Sequence, residues 1–166
     1  QVIGAHRQVE QVPRRDARFN EYDHASIVGQ FASDRKQDAR AHGDRRAYFI
    51  ALRQALQAWS RYQGTITGGE TWPEFGARIA GGFADLCEGL GRDDNVLLVS
   101  SGGVIGRYTA DVLGAGPEAA IQLNLQTRNT GVTEFAWTSS GATRLVAFNA
   151  IPHLEDPSRA GALTYS

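Results

Sequence analysis

The sequence predicts an α/β domain: three layers, with a mainly parallel sheet flanked by helices and an antiparallel edge hairpin near the C-terminus. Three observations predict it. Residues 95–100 are a short run rich in Val and Leu, the pattern of a strand buried on both faces. Residues 45–62 and 71–90 carry apolar stripes at helical spacing. Residues 132–137 and 143–148 alternate apolar and polar, with Ser139-Ser140-Gly141 between them, which is a hairpin signal.

The bulk numbers bound the classes of function. A chain of 166 residues is enough for one domain with its own core, burying roughly 70% of the unfolded surface. Lys+Arg total 17 against 18 Asp+Glu, a formal net charge of -1, so no nucleic-acid or membrane partner is expected. Lys36 is the only lysine; the arginine excess suits bidentate anion contacts, although codon bias explains it as well. Cys87 stands alone, which rules out a disulfide framework and a cysteine-based metal site and points to a reducing compartment, the cytoplasm. The opening Gln-Val-Ile-Gly is no signal peptide, and no apolar run reaches membrane-spanning length.

Taken in order, residues 1–20 resist assignment, with Pro13, Arg14 and Arg15 breaking any early helix. Residues 25–43 are mostly polar around Ile27, Val28 and Phe31, and are expected to be a mobile loop with short helical turns. Asp44 is the expected N-cap of the next helix, whose stripe is Phe49, Leu52, Leu56 and Trp59. Thr71 and Glu74 have capping-box spacing, and Trp72, Phe75, Ile79, Phe83 and Leu86 are expected to face inward. The organising unit is residues 95–114: a strand, the small-residue turn Ser101-Gly102-Gly103, then a helix through Val104, Ile105, Tyr108, Val112 and Leu113 that ends at Gly114. Its geometry aims backbone N–H groups and a positive helix end at one spot, which suits an oxyanion; a plain packed connection is the alternative. Residues 121–126 fit a strand or a helix, and Pro152-His153-Leu154 begins what reads as an exposed tail.

Three separated pieces fit one pattern: Arg7 within Gly4-Ala-His-Arg-Gln-Val-Glu10, the segment Arg18-Phe-Asn-Glu21-Tyr-Asp23, and Val99-Ser-Ser-Gly-Gly103. In order and residue type they resemble the histidine phosphatase superfamily, also called phosphoglycerate-mutase-like. Asn129-Thr-Gly-Val-Thr133, Leu145-Val-Ala-Phe-Asn149 and Pro152-His-Leu154 resemble its closing hairpin, and Gly69-Glu70 with Arg78 resembles its middle, so the likeness spans nearly the whole chain. The resemblance implies phosphoryl transfer through a phosphohistidine, with arginines around the phosphoryl oxygens and an acid that protonates the leaving group. It implies a small phosphate ester as ligand, no cofactor, no metal, and a homodimer as one expected assembly. The physics agrees: charge spreads over equatorial oxygens in the transition state, so positioning and positive charge do most of the catalysis.

Carried over by position, Arg7 matches a pocket arginine able to hold two phosphoryl oxygens. Glu21 matches the proton donor, a role that requires a carboxyl protonated near neutral pH. Ser101 stands where many members have a second histidine, and can donate one hydrogen bond without bringing charge; the Gly102 N–H is a further donor. Residues 25–43 are the expected substrate-selecting cap. Structural alternatives exist for each: a surface arginine, a capping glutamate, a tight turn. The nucleophilic Arg-His-Gly motif is absent; the histidines are His6, His24, His42 and His153. The family's first strand would precede Gln1, so an unrepresented N-terminal segment is expected.

Two other functions compete. Ser101-Gly-Gly-Val-Ile-Gly106 is one residue short of a dinucleotide fingerprint, but no acidic residue follows near Leu123 to Leu125. A module that binds a phosphorylated ligand without turnover fits Ser101 and the missing histidine motif.

Overall fold

The computed structural model describes residues 13–32, 45–66, 68–91, 93–138 and 141–165. Helix α1, His24–Phe31, starts at Asp23, whose carboxylate accepts from the Ala25 and Ser26 N–H groups, and it buries Ile27 and Val28. A capped helix thus opens the segment expected to be a loop with short helical turns, because an N-cap aspartate and an apolar pair suffice for two turns packed on a neighbour. Helix α2, Arg45–Arg61, lies against it and buries Leu52, Leu56 and Trp59, with Phe49 half-buried. Its expected cap, Asp44, lies outside the described residues.

Helix α3, Trp72–Cys87, begins with the full capping box: Glu74 accepts from the Thr71 N–H at 2.7 Å and Thr71 Oγ1 accepts from the Glu74 N–H. Trp72, Phe75, Ile79 and Phe83 are buried. The helix stops short of residue 90, where Gly89 takes a φ of +79° that only glycine adopts freely. Helix α4, Gly102–Val112, follows the Ser101 bend and closes through Gly114 at φ +64°, with the Ala115 N–H donating to Ala110 O at 2.8 Å. Helix α5, Pro117–Gln126, opens with a proline in its first turn and resolves the strand-or-helix ambiguity there in favour of helix. Helices α4 and α5 pack closely at Gly106, where a Cβ would meet Asn124 N at 2.6 Å and Ala120 O at 2.8 Å.

The hairpin is as expected: β1, Val132–Trp137, pairs antiparallel with β2, Thr143–Ala150, in the register Phe135 opposite Leu145 and Trp137 opposite Thr143. It is also the whole sheet among the described residues, so the three-layer, mainly parallel sheet is not what this structure displays. Residues 95–100 form neither helix nor strand, with Leu97 69% and Val99 78% exposed. The physical reason is that a strand exists only with a partner for its N–H and C=O groups, and no described segment lies alongside. The α/β class stands in its coarser sense of helices packed with a sheet.

Most of the tail after residue 151 is exposed, as expected. After two 3-10 turns, Pro152–Leu154 and Pro157–Ala162, it returns to the base of the hairpin: Thr164 O accepts from the Asn129 N–H at 2.9 Å, and Tyr165 bridges Arg128.

The core has an aromatic centre. Trp59, fully buried, touches the rings of Tyr22, Trp72 and Phe75, and its indole N–H donates to Glu70 O at 2.9 Å. Phe19, Phe83, Tyr108 and Phe135 form a second ring cluster between α3, α4 and the hairpin. Residues 19–22 contribute to both, which pins the intervening Glu21 between them.

Candidate active site

The site begins with a short segment leading into α1. Asp16 caps the 3-10 turn Ala17–Phe19 by accepting from the Arg18 N–H at 3.0 Å. The Arg18 guanidinium binds the same carboxylate, holding the Asp16 pKa down at about 2, and reaches Asp85 on α3 at 2.6 Å. Phe19 then plugs under Phe83, ring centroids 5.2 Å apart. The carbonyls of residues 18–20 are all engaged from elsewhere. Arg78 Nη1 donates to Arg18 O at 2.6 Å and to Asn20 O at 2.8 Å; Ser100 Oγ donates to Phe19 O at 2.8 Å.

Glu21 emerges from this held backbone toward the bend before α4. Its Oε2 accepts from the Gly103 N–H at 3.0 Å, and its Oε1 from the Tyr22 N–H at 3.1 Å. The Glu21 carboxyl therefore sits at the N-terminal end of α4, where backbone N–H groups have no partner within the helix. Ser101 is the N-cap residue, yet its side chain makes no capping bond, and its Oγ is buried with no hydrogen-bond partner. A carboxylate 82 residues away in sequence does the capping instead. Gly103 permits this approach: a Cβ there would collide with Glu21 Oε1 and with the Tyr22 ring.

Tyr22 is the buried floor. Its hydroxyl accepts from Asn124 Nδ2 at 3.0 Å, tying α5 to the site. Burial pushes its phenol pKa well above the ordinary value, and the neighbouring Glu21 charge pushes the same way.

The cations next to Glu21 are already matched: Arg18 to Asp16 and Asp85, and Arg78 to Glu70 through two contacts of 2.7 Å. Arg7, the expected pocket arginine, lies outside the described residues, as do His6 and His42. His24 opens α1 with its ring edge-on to Tyr22, and His153 bonds Thr130 Oγ1 at 2.8 Å. Among the described residues no group of His, Cys, Asp or Glu is placed to hold a metal ion. Among the same residues no helix is long and apolar enough to cross a membrane.

Of the residues expected from sequence, the structure thus brings Glu21 together with the Ser101–Gly103 bend. Sequence reasoning placed Ser100, Gly103, Glu70 and Arg78 in the family likeness without giving them a role, and did not single out Asn124. A hydroxyl at the end of the apolar run and an arginine on the helix after Gly69-Glu70 were visible, but nothing in residue type tells which carbonyl they meet.

The chain matches the sequence model of the histidine phosphatase superfamily (branch 1) over residues 2–151. It belongs to that superfamily, whose members are typically phosphatases and mutases. No match was found among curated proteins or among solved structures.

Proposed function

We propose that the protein is a phosphomonoester phosphatase that passes a phosphoryl group from a small phosphate ester to a histidine and then to water. The observation that carries this reading is the meeting of Glu21 with the bend, its Oε2 3.0 Å from the Gly103 nitrogen. An acid beside a helix start can share the space where a phosphoryl group would bind. In the forward step the imidazole attacks phosphorus and the ester P–O bond breaks. Glu21 gives its proton to the departing alkoxide. Arg7, Ser101 Oγ and the Gly102 N–H hold the equatorial oxygens. In the second step water attacks the phosphohistidine, and Glu21 takes up the water's proton. The attacking histidine belongs to an Arg-His-Gly unit that the 166 residues do not contain.

The reading carries further parts. The ligand is a small phosphate ester, with no nucleic acid or membrane involved, in the cytoplasm, by a single chain or a homodimer. Residues 25–43, of which 25–32 are described, choose the leaving group. The run 95–100 is a strand of a parallel sheet; the exposed apolar side chains of Leu97 and Val99 support that reading.

A second reading is favoured by Ser101, which brings no charge where many members have histidine: a protein that binds a phosphorylated ligand without turning it over. Exposure to a phosphate ester separates the two. A phosphate mass shift on a histidine, with release of inorganic phosphate, is the expected result; saturable binding with neither signal selects the binder. In the enzyme, Glu21→Gln is expected to lower kcat by about 100-fold or more with a smaller change in KM. Equal losses in kcat and binding would remove Glu21 from the donor role.

A further inference from the structure

The bonds converging on residues 18–20 are unusual in number and direction. Four of the five N–H bonds of the Arg78 guanidinium are committed. Nε and Nη2 bind the two Glu70 oxygens at 2.7 Å each, and Nη1 spans Arg18 O and Asn20 O at 2.6 and 2.8 Å. The side chains of Arg78 and Glu70 are only 22% and 26% exposed, and the guanidinium also lies over the Phe75 ring. Glu70 fixes the plane of the fork from one side, and the two carbonyls receive its other end. Between those carbonyls, Phe19 O is taken by Ser100, which directly precedes the Ser101 bend. Asn20 C=O is half of the peptide group whose nitrogen belongs to Glu21. Fixing that carbonyl therefore fixes the plane from which the Glu21 side chain departs.

We infer that Arg78 is a positioning residue: held by Glu70, it sets the backbone of residues 18–20 so that the Glu21 carboxyl stands at the bend before α4. This rests on the proposed donor role of Glu21 for its catalytic consequence, though not for its geometry. A lysine at position 78 has a single nitrogen, which cannot grip Glu70 with two bonds and also span two carbonyls. It keeps the charge and loses the device.

The test uses the intact protein with Arg78→Lys and, in case that variant folds poorly, Glu70→Gln, which keeps the arginine but weakens its anchor. Two substrates are compared, p-nitrophenyl phosphate and an alkyl phosphate. A nitrophenolate leaves without help, whereas an alkoxide needs a proton in the transition state. If Arg78 acts through Glu21, kcat/KM for the alkyl ester falls about 10-fold or more while the nitrophenyl ester changes little, the same signature as Glu21→Gln. Equal losses on both esters overturn the inference, since a merely structural role depresses both alike. A Glu21→Gln variant without leaving-group dependence defeats the donor role instead. Amide exchange decides the geometry independently of turnover. In Arg78→Lys the Gly103 and Tyr22 amides, both bonded to Glu21, are expected to exchange about 10-fold faster while core amides of α3 stay protected. Exchange unchanged at Gly103, or raised uniformly across the protein, overturns the positioning role.

Discussion

At the scale of single residues, much of the site depends on what glycine and tyrosine permit. Gly103 has no Cβ, and the Glu21 carboxylate occupies the space one would fill. Gly103→Ala is expected to expel that carboxylate and uncap α4. The cost is about 1–3 kcal/mol in urea unfolding, and any activity that needs the acid is lost with it. Tyr22 makes the site sensitive to alkali. Its folded-state pKa is raised above the ordinary 10.0 by burial first and by Glu21 second. A group raised in the folded state contributes fully below its unfolded pKa and loses that contribution as pH climbs past it. Stability is therefore expected to fall above about pH 10, and Tyr22→Phe should flatten that part of a pH–stability profile while leaving Asn124 short of a partner. Asp16 behaves oppositely. Its pKa is lowered to about 2 by hydrogen bonds from Arg18, so its share is present above its ordinary 3.8 and disappears as pH falls toward 2. Asp16→Asn should remove the part of the acid limb that lies in that window.

At the scale of elements, some features were legible before the fold and some were not. The stripe Leu52, Leu56, Trp59 and the Thr71/Glu74 box are local patterns, written within one or two turns, and both are present. Thr71→Ala is expected to cost about 1 kcal/mol, read as a shift in the urea midpoint. The run 95–100 has no strand partner among the described residues. Composition reports a preference for extended backbone, whereas strand structure requires a neighbour, and none lies among the described residues. Helix α5 was ambiguous because residues 121–126 alternate apolar and polar over a run too short to fix the period. The Glu21–Gly103 bond was reachable only through family likeness, since nothing local links positions 82 apart. The grip of Arg78 on two carbonyls was invisible altogether, because backbone acceptors are the same in every residue type.

At the scale of the molecule, helices α2 and α3 are joined through one aromatic centre, and Tyr22 is built into it. Trp59 is 0% exposed and touches the rings of Tyr22, Trp72 and Phe75. Trp59→Ala is expected to cost about 3–5 kcal/mol, and because Tyr22 adjoins Glu21, the variant should disturb the site as well as stability. Site and core are therefore not separable units in this chain. Phe19 and Tyr22 are core side chains that flank Glu21, so the carboxylate takes its place from the packing beneath it.

The close crossing of α4 and α5 divides the glycines by what selection can do with them. At position 106 an added methyl group would strike the main chain of Asn124 and Ala120, which no rotamer change can relieve. At Gly81, on α3, nothing stands within 4 Å. In a randomised library screened for folded protein, the codon for residue 106 should be purged of everything but glycine. Position 81 should drift freely, with alanine enriched there by its roughly 1 kcal/mol advantage in a helix.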